Sequence, residues 1–282
     1  MNSTKSSSIA EAARWLREAD YVIVGAGAGL STAAGLRYDG PDFEAFFADF
    51  IAKYGFTDLY TSSFYDFPCE EERWAYWAKH VMYARILPEA KPLYKALFEL
   101  VRHKDYFVFT TNVDGQFRKA GFDPARLFEV QGDYAYIQSR SGSDGRRYDA
   151  TDLFRRMYNS ISDCRIPTAL VPTAQGGEPM EINIRKDDGF VEDAQWKRQA
   201  ETFYRFIARA HESRLVLLEL GVGFNTPTII RYPFEQMVQR FRHTALIRFN
   251  KEYPQTQLPL ERHLGFTRLD VATLRALASA SA

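Results

Sequence analysis

Cysteine is scarce in this sequence: Cys69 and Cys164 are the only thiols in 282 residues. Two are too few for a disulfide scaffold and too few for a four-cysteine zinc site. The five histidines, His80, His103, His211, His243 and His263, show no paired metal-ligand spacing, and no metal is expected. Neither charge is in excess, since 36 basic side chains stand against 36 acidic ones. A general nucleic-acid or membrane-surface binder draws in phosphates with a basic surplus, so neither partner is expected. No apolar run reaches the roughly 18 residues that a spanning helix needs. The stretch from Met1 to Asp20 opens with small polar residues and passes into a helical pattern carrying Glu11, Arg14, Arg17 and Glu18. It lacks the uncharged apolar centre of a secretory signal. A reduced, cytoplasmic protein is the expectation.

What is present is a recurring apolar run. Tyr21–Val24, Tyr106–Thr110, Leu127–Val130, Leu215–Leu220 and Thr244–Phe249 are short, nearly continuous and rich in β-branched and aromatic residues. Strands of a parallel sheet covered on both faces read this way. Helical stretches lie between them; Trp74, Trp77 and Val81 recur at spacings of three and four, as do Phe203, Ile207 and Ala210. The pattern predicts a Rossmann-like, doubly wound α/β fold, with a main part over about 1–40, 88–137 and 192–282. Two insertions, about 41–87 and 138–191, break the alternation and predict a smaller lobe facing the sheet across a cleft. A strand is expected within the second at Met180–Ile184.

The first strand runs into Gly25-Ala26-Gly27-Ala28-Gly29-Leu30-Ser31 and then a helix. Glycines let a backbone turn sharply and approach a ligand, and a following helix offers free N–H groups to a phosphate. A structural tight turn uses the same residues. The acidic ribose-binding residue of ordinary nicotinamide dehydrogenases is not evident about 20 positions on, although Asp39 and Asp42 lie nearby. Ser31 lacks the second glycine of a hydrolase nucleophile elbow, so it reads as a capping or ligand-contacting hydroxyl. Thr111-Asn112-Val113-Asp114-Gly115 and Glu129-Val130-Gln131-Gly132 follow two later strands, where polar groups point into a ligand crevice; Asn112 and Asp114 could equally cap the next helix.

On these motifs, in this order, the chain resembles the sirtuins. Gly27-Ala28-Gly29-Leu30-Ser31 is similar to the family's opening nucleotide loop, and Thr111 to Gly115, continuing to Lys119-Ala120-Gly121, to its Thr-Gln-Asn-Ile-Asp-Gly segment. Gly221-Val222-Gly223-Phe224-Asn225 resembles the loop on the adenine side of NAD, and Asn250 the family's Ile-Asn nucleotide contact. Three departures stand out. Gln131 occupies the position of the catalytic histidine. Leu36-Arg37-Tyr38-Asp39-Gly40 replaces Ile-Pro-Asp-Phe-Arg. Pro172-Thr173-Ala174-Gln175-Gly176-Gly177 stands where a zinc-binding Cys-x-x-Cys-Gly-Gly is expected, so no zinc is expected. The opening loop and the glutamine resemble class M, the branch linked to macrodomain hydrolases. That resemblance implies ADP-ribosylation of a lipoyl-carrier protein of the glycine-cleavage H type, reversed by a macrodomain hydrolase.

The glutamine bears on the chemistry. Deacylation needs a base to take a proton from a ribose hydroxyl, a task for histidine; a glutamine amide has no useful basicity. Losing such a base costs about 10²–10⁴ in rate. Transfer of ADP-ribose to an arriving nucleophile does not need that step. The resemblance therefore implies an NAD-dependent protein ADP-ribosyltransferase. In it Gln131 orients ribose hydroxyls, Asn112 positions the ribose and the attacking group, and Asp114 holds the nicotinamide carboxamide. Gly27, Ala28, Gly29, Ser31, Thr111, Gly221, Gly223, Asn225 and Asn250 would line the NAD site. The alternatives are a weak deacylase, an NAD hydrolase, and an NAD-sensing protein without turnover.

Overall fold

A computed structural model describes residues 8–281; the first seven residues of the Met1 to Asp20 stretch and Ala282 lie outside it. From Ser8 the expected helix forms at Ile9–Glu18, where the Ser8 hydroxyl accepts from Glu11 N. Nine strands follow: β1 (Tyr21–Ala26), β2 (Asp105–Thr110), β3 (Leu127–Glu129), β4 (Gly132–Ser139), β5 (Arg147–Asp149), β6 (Met180–Ile184), β7 (Leu215–Leu220), β8 (Thr244–Phe249) and β9 (His263–Phe266). Six form a wholly parallel sheet in the order β3-β2-β1-β7-β8-β9.

The continuous apolar character of these strands follows from cover on both faces. Val22 and Val24 of β1 pack with Leu16, Leu97, Leu274 and Leu277, from the helices Ile9–Glu18, Pro92–Val101 and Val271–Ser281. Between them in sequence, Ile23 faces the other way and joins Phe203, Phe206 and Phe234, from the helices Ala194–Ala210 and Arg231–Arg240. This is the doubly wound arrangement that the alternation of strands and helices predicts.

The small lobe has its own antiparallel sheet, β5-β4-β6, and its own aromatic core. Phe43, Phe47, Phe50, Trp74 and Tyr76 from the first insertion meet Phe154 and Ile182 from the second. The structure moves one boundary. β4 pairs with β5 and β6, and its Tyr134 and Ile137 lie in the aromatic core. The chain therefore enters the small lobe at Gln131–Gly132, not at 137. Strand β4 escaped the sequence because Gly132-Asp133-Tyr134-Ala135 has neither a continuous apolar run nor strict alternation. Strand β9 is short, with Gly265 in its middle.

His80 is sealed in that aromatic core, against Tyr76, Trp77 and Tyr134. The Tyr76 hydroxyl donates to Leu59 O at 3.1 Å, so His80 Nδ1, 3.1 Å from the same hydroxyl, is the donor in that contact. Burial lowers the His80 pKa from 6.5 to about 3. The unfolded chain then binds a proton that the folded chain refuses, so stability is lost as pH falls below 6.5 toward 3. Chemical denaturation at pH 7.5 and 5.0 should show wild type losing about 2 kcal/mol relative to His80→Phe over that interval.

Candidate active site at the carboxyl edge of the sheet

The sequence-predicted residues fall on five neighbouring loops at the carboxyl ends of the parallel strands. In sheet order, Gln131 follows β3, Thr111 to Asp114 follow β2, Gly27 to Ser31 follow β1, Gly221 to Asn225 follow β7, and Asn250 follows β8. The chain leaves β1 toward β2 on one side and takes up β7 on the other. This is the topological switch point at which open α/β sheets bind ligands.

At that point two loops touch backbone to backbone. Gly27 N donates to Leu220 O at 3.1 Å and Gly29 N to Gly221 O at 2.9 Å. Gly221 has φ +62°, and a Cβ there would lie 2.2 Å from Leu30 N. The Gly29 amide, in the loop that the sequence assigns to the nucleotide, is therefore committed to the protein.

A cavity of about 250 Å3 opens beside these loops, lined by Ala28, Ser31, Thr111, Asn112 and Asp114 together with the segment from Leu36 to Asp39. Asp114 is buried; its Oδ2 accepts from Ser31 Oγ at 2.5 Å and its Oδ1 from Gln116 N at 3.0 Å. Burial raises the Asp114 pKa, and the Ser31 and Gln116 bonds oppose that rise. The Asp114 carboxylate thus both organises the next short helix and lines the cavity. Asn112 Nδ2 donates to Gly27 O at 3.1 Å, joining the β2 and β1 loops. A residue missed from the sequence completes the group: Tyr94, fully buried, with its hydroxyl 2.9 Å from Ser31 Oγ and 3.2 Å from Asn112 Nδ2. In Lys91-Pro92-Leu93-Tyr94 it reads only as an apolar helix position.

Other predicted residues lie outside that cavity lining. Gln131 is half-buried, and its carbonyl accepts from Arg185 N at 3.0 Å, where the two sheets meet. Asn250 Nδ2 donates to Val222 O at 2.8 Å, and its Oδ1 accepts from the Glu252 and Tyr253 amides. These bonds shape the loops of β7 and β8. Gly223 and Asn225 sit in the exposed part of the β7 loop, where Phe224 meets Tyr253 edge to face and lies 4.5 Å from the Arg231 guanidinium.

Buried ion pairs brace the edge. Arg248 engages Glu219 at 2.7 and 2.9 Å. Arg118 engages Glu129, whose pKa burial and then neighbouring Asp133 raise to about 7. Arg85, on a π-helical turn at Met82–Ile86, grips Asp133 at 2.8 and 3.1 Å and lies so close over Gly115 that a Cβ there would overlap its guanidinium. Cys69 and Cys164 are free, and among the described residues no three His, Cys, Asp or Glu side chains are grouped to hold a metal ion. The donor set does not fit the sirtuin zinc site.

No protein-family model matches the chain. It is 32% identical over 260 residues to a protein ADP-ribosyltransferase of Staphylococcus aureus, an alignment covering 91% of this chain and 82% of that protein. The chain belongs to the protein ADP-ribosyltransferases. It is also 33% identical to a probable bifunctional ADP-ribose hydrolase/ADP-ribosyltransferase of Fusarium oxysporum f. sp. cubense, over 93% of this chain but 45% of the fungal protein. Among solved structures, its fold is similar to Sir2Tm bound to a propionylated peptide (TM-score 0.60, 16% identity, 95% of this chain and 96% of that one). It is equally similar to a Sir2 homologue–NAD complex (TM-score 0.60, 15% identity, 98% and 95%). This transferase thus shares the fold of the Sir2 proteins at low identity.

The backbone contact at the switch point gives a test by substitution. Gly221→Ala should cost about 2–4 kcal/mol, because it adds a clash to the left-handed strain. Gly35→Ala, at φ +85° in open space, should cost about 1–2 kcal/mol from strain alone. Urea midpoints of the two variants measure the difference.

Proposed function

We propose that this enzyme uses NAD to ADP-ribosylate a lipoyl-carrier protein of the glycine-cleavage H type, releasing nicotinamide. The observation that supports it most is the order of the five loops: glycine backbones at the centre of the sheet edge, with Asn112, Asp114 and Gln131 grouped on the β2–β3 side. The glycines bring the β1 and β7 loops into backbone contact, and the cavity opens beside that contact. NAD itself supplies a glycosidic bond from which nicotinamide departs uncharged.

The rest of the work belongs to this chain. Asn112 positions the ribose and the arriving nucleophile. Asp114, with free lone pairs on a buried carboxylate, accepts from the nicotinamide carboxamide. Gln131 orients ribose hydroxyls by hydrogen bonds, since an amide takes no proton at neutral pH. Limiting water at the crevice favours transfer over hydrolysis. Removal of the modification falls to an ADP-ribose hydrolase; the fungal relative, whose name joins both activities in one protein, supports that pairing.

Labelled NAD offered to the carrier with and without lipoate should add the mass of ADP-ribose to the carrier, with matching nicotinamide release. NAD turned over equally fast with no carrier present would identify a hydrolase instead. Asn112→Ala should reduce nicotinamide release by about 10² or more at an unchanged circular-dichroism spectrum. Wild-type turnover in that variant would remove Asn112 from the mechanism.

A further inference from the structure

Tyr94 lies on the helix Pro92–Val101, its ring packed against Phe117 and its hydroxyl reaching the crevice from beneath. The direction of every hydrogen bond around it can be deduced. Gly27 O is a carbonyl and can only accept, so the Asn112 side chain must turn its NH2 toward it. The second hydrogen of that NH2 faces the Tyr94 oxygen at 3.2 Å. Ser31 Oγ donates to Asp114 Oδ2, so its own hydrogen is committed there. The Tyr94 hydrogen therefore goes to Ser31 Oγ at 2.9 Å. The result is a one-way series: Asn112 amide to Tyr94 hydroxyl, to Ser31 hydroxyl, to Asp114 carboxylate.

We propose that Tyr94 is a positioning residue that locks the Asn112 amide in a single orientation, with both its hydrogens held by the protein and its carbonyl oxygen left for the ligand. An amide free to flip presents a donor half of the time. The locked amide presents an acceptor always. The crevice therefore selects, at this point, a partner carrying an O–H or N–H, such as a ribose hydroxyl or the incoming nucleophile, and disfavours an anionic oxygen. The same series places a hydroxyl donor on Asp114 Oδ2: Gly27 O and the Asp114 carboxylate set its sense, and the buried phenol carries it between two residues on the β2 loop. Burial of the group makes this strict, since no water competes for the Tyr94 hydrogen.

The inference rests on the reading of this crevice as the site of NAD cleavage, and its test separates the two. Tyr94→Phe keeps the ring and removes the hydroxyl. With NAD and carrier, it should lower kcat for nicotinamide release tenfold or more while KM for NAD stays within about twofold. Added to Asn112→Ala, it should lower the residual rate no further, because it acts through Asn112. A second measurement needs no turnover. In protein labelled with 15N-asparagine, the side-chain NH2 signal absent from Asn112→Ala should exchange slowly with solvent in wild type and at least tenfold faster in Tyr94→Phe. Wild-type kcat in Tyr94→Phe, or unchanged amide exchange, overturns the lock. Faster exchange in Tyr94→Phe, in a wild-type protein that releases no nicotinamide, upholds the lock and overturns the cleavage reading alone.

Discussion

The crevice depends on how closely two backbones approach where the β1 and β7 loops cross the edge of the sheet. Gly29 N donates to Gly221 O, and neither residue has room for a side chain: a Cβ on Gly29 would lie 2.8 Å from the Gly221 backbone. Everything ligand-facing is measured from this contact. Asn112 reaches Gly27 O only because the β1 loop lies flat against its neighbour, and Tyr94 reaches Asn112 and Ser31 only because both stand at that height. A parallel sheet sets adjacent strand ends side by side, but the separation of their loops is a local matter. Here glycine sets it.

Around that contact the chain places charge in buried and part-buried positions. Glu219 and Arg248 are fully buried on β7 and β8, and Arg248 also meets Glu235 at 2.9 Å. Arg118 with Glu129 and Arg85 with Asp133 repeat the arrangement on the β3 side. Taking such pairs out of water is costly, and apolar residues of the same volume often serve stability as well. What the pairs supply is direction, since a bidentate guanidinium fixes both distance and plane. The carboxylates of Glu129, Asp133 and Glu219 stand on β3, β4 and β7, at or near the strand ends from which the site loops leave.

Much of this was legible in the residues. Continuous apolar runs predict the parallel strands because a strand covered on both faces has no polar side to display, and β1, β2, β7 and β8 follow that rule. The glycine-rich turn and the Asn112–Asp114 segment were legible as polar loops at strand ends, although a tight turn and a helix cap use the same residues. Strand β4 was hidden, since its burial comes from a lobe assembled by two distant insertions. Tyr94 was hidden for a different reason. A tyrosine in a helical stripe looks like core, and Tyr94 is core in every atom except its oxygen. The committed Gly29 amide was beyond reach too, because its acceptor lies 192 residues away in a loop whose proximity only the sheet order provides.

The π-helical turn at Met82–Ile86 joins the two lobes mechanically. It widens the end of a small-lobe helix by one residue and so delivers Arg85 to two loops at once, onto Asp133 at the root of β4 and over Gly115 behind Asp114. Lys119 fastens the same turn from the sheet side, donating to the carbonyls of Arg85, Ile86 and Pro88. The helix, the loop of Asp114 and the joint at Gln131–Gly132 are thus bolted into one piece. Any hinge that swings the small lobe must bend elsewhere, along the first insertion near Tyr38 or where β6 returns to the large part.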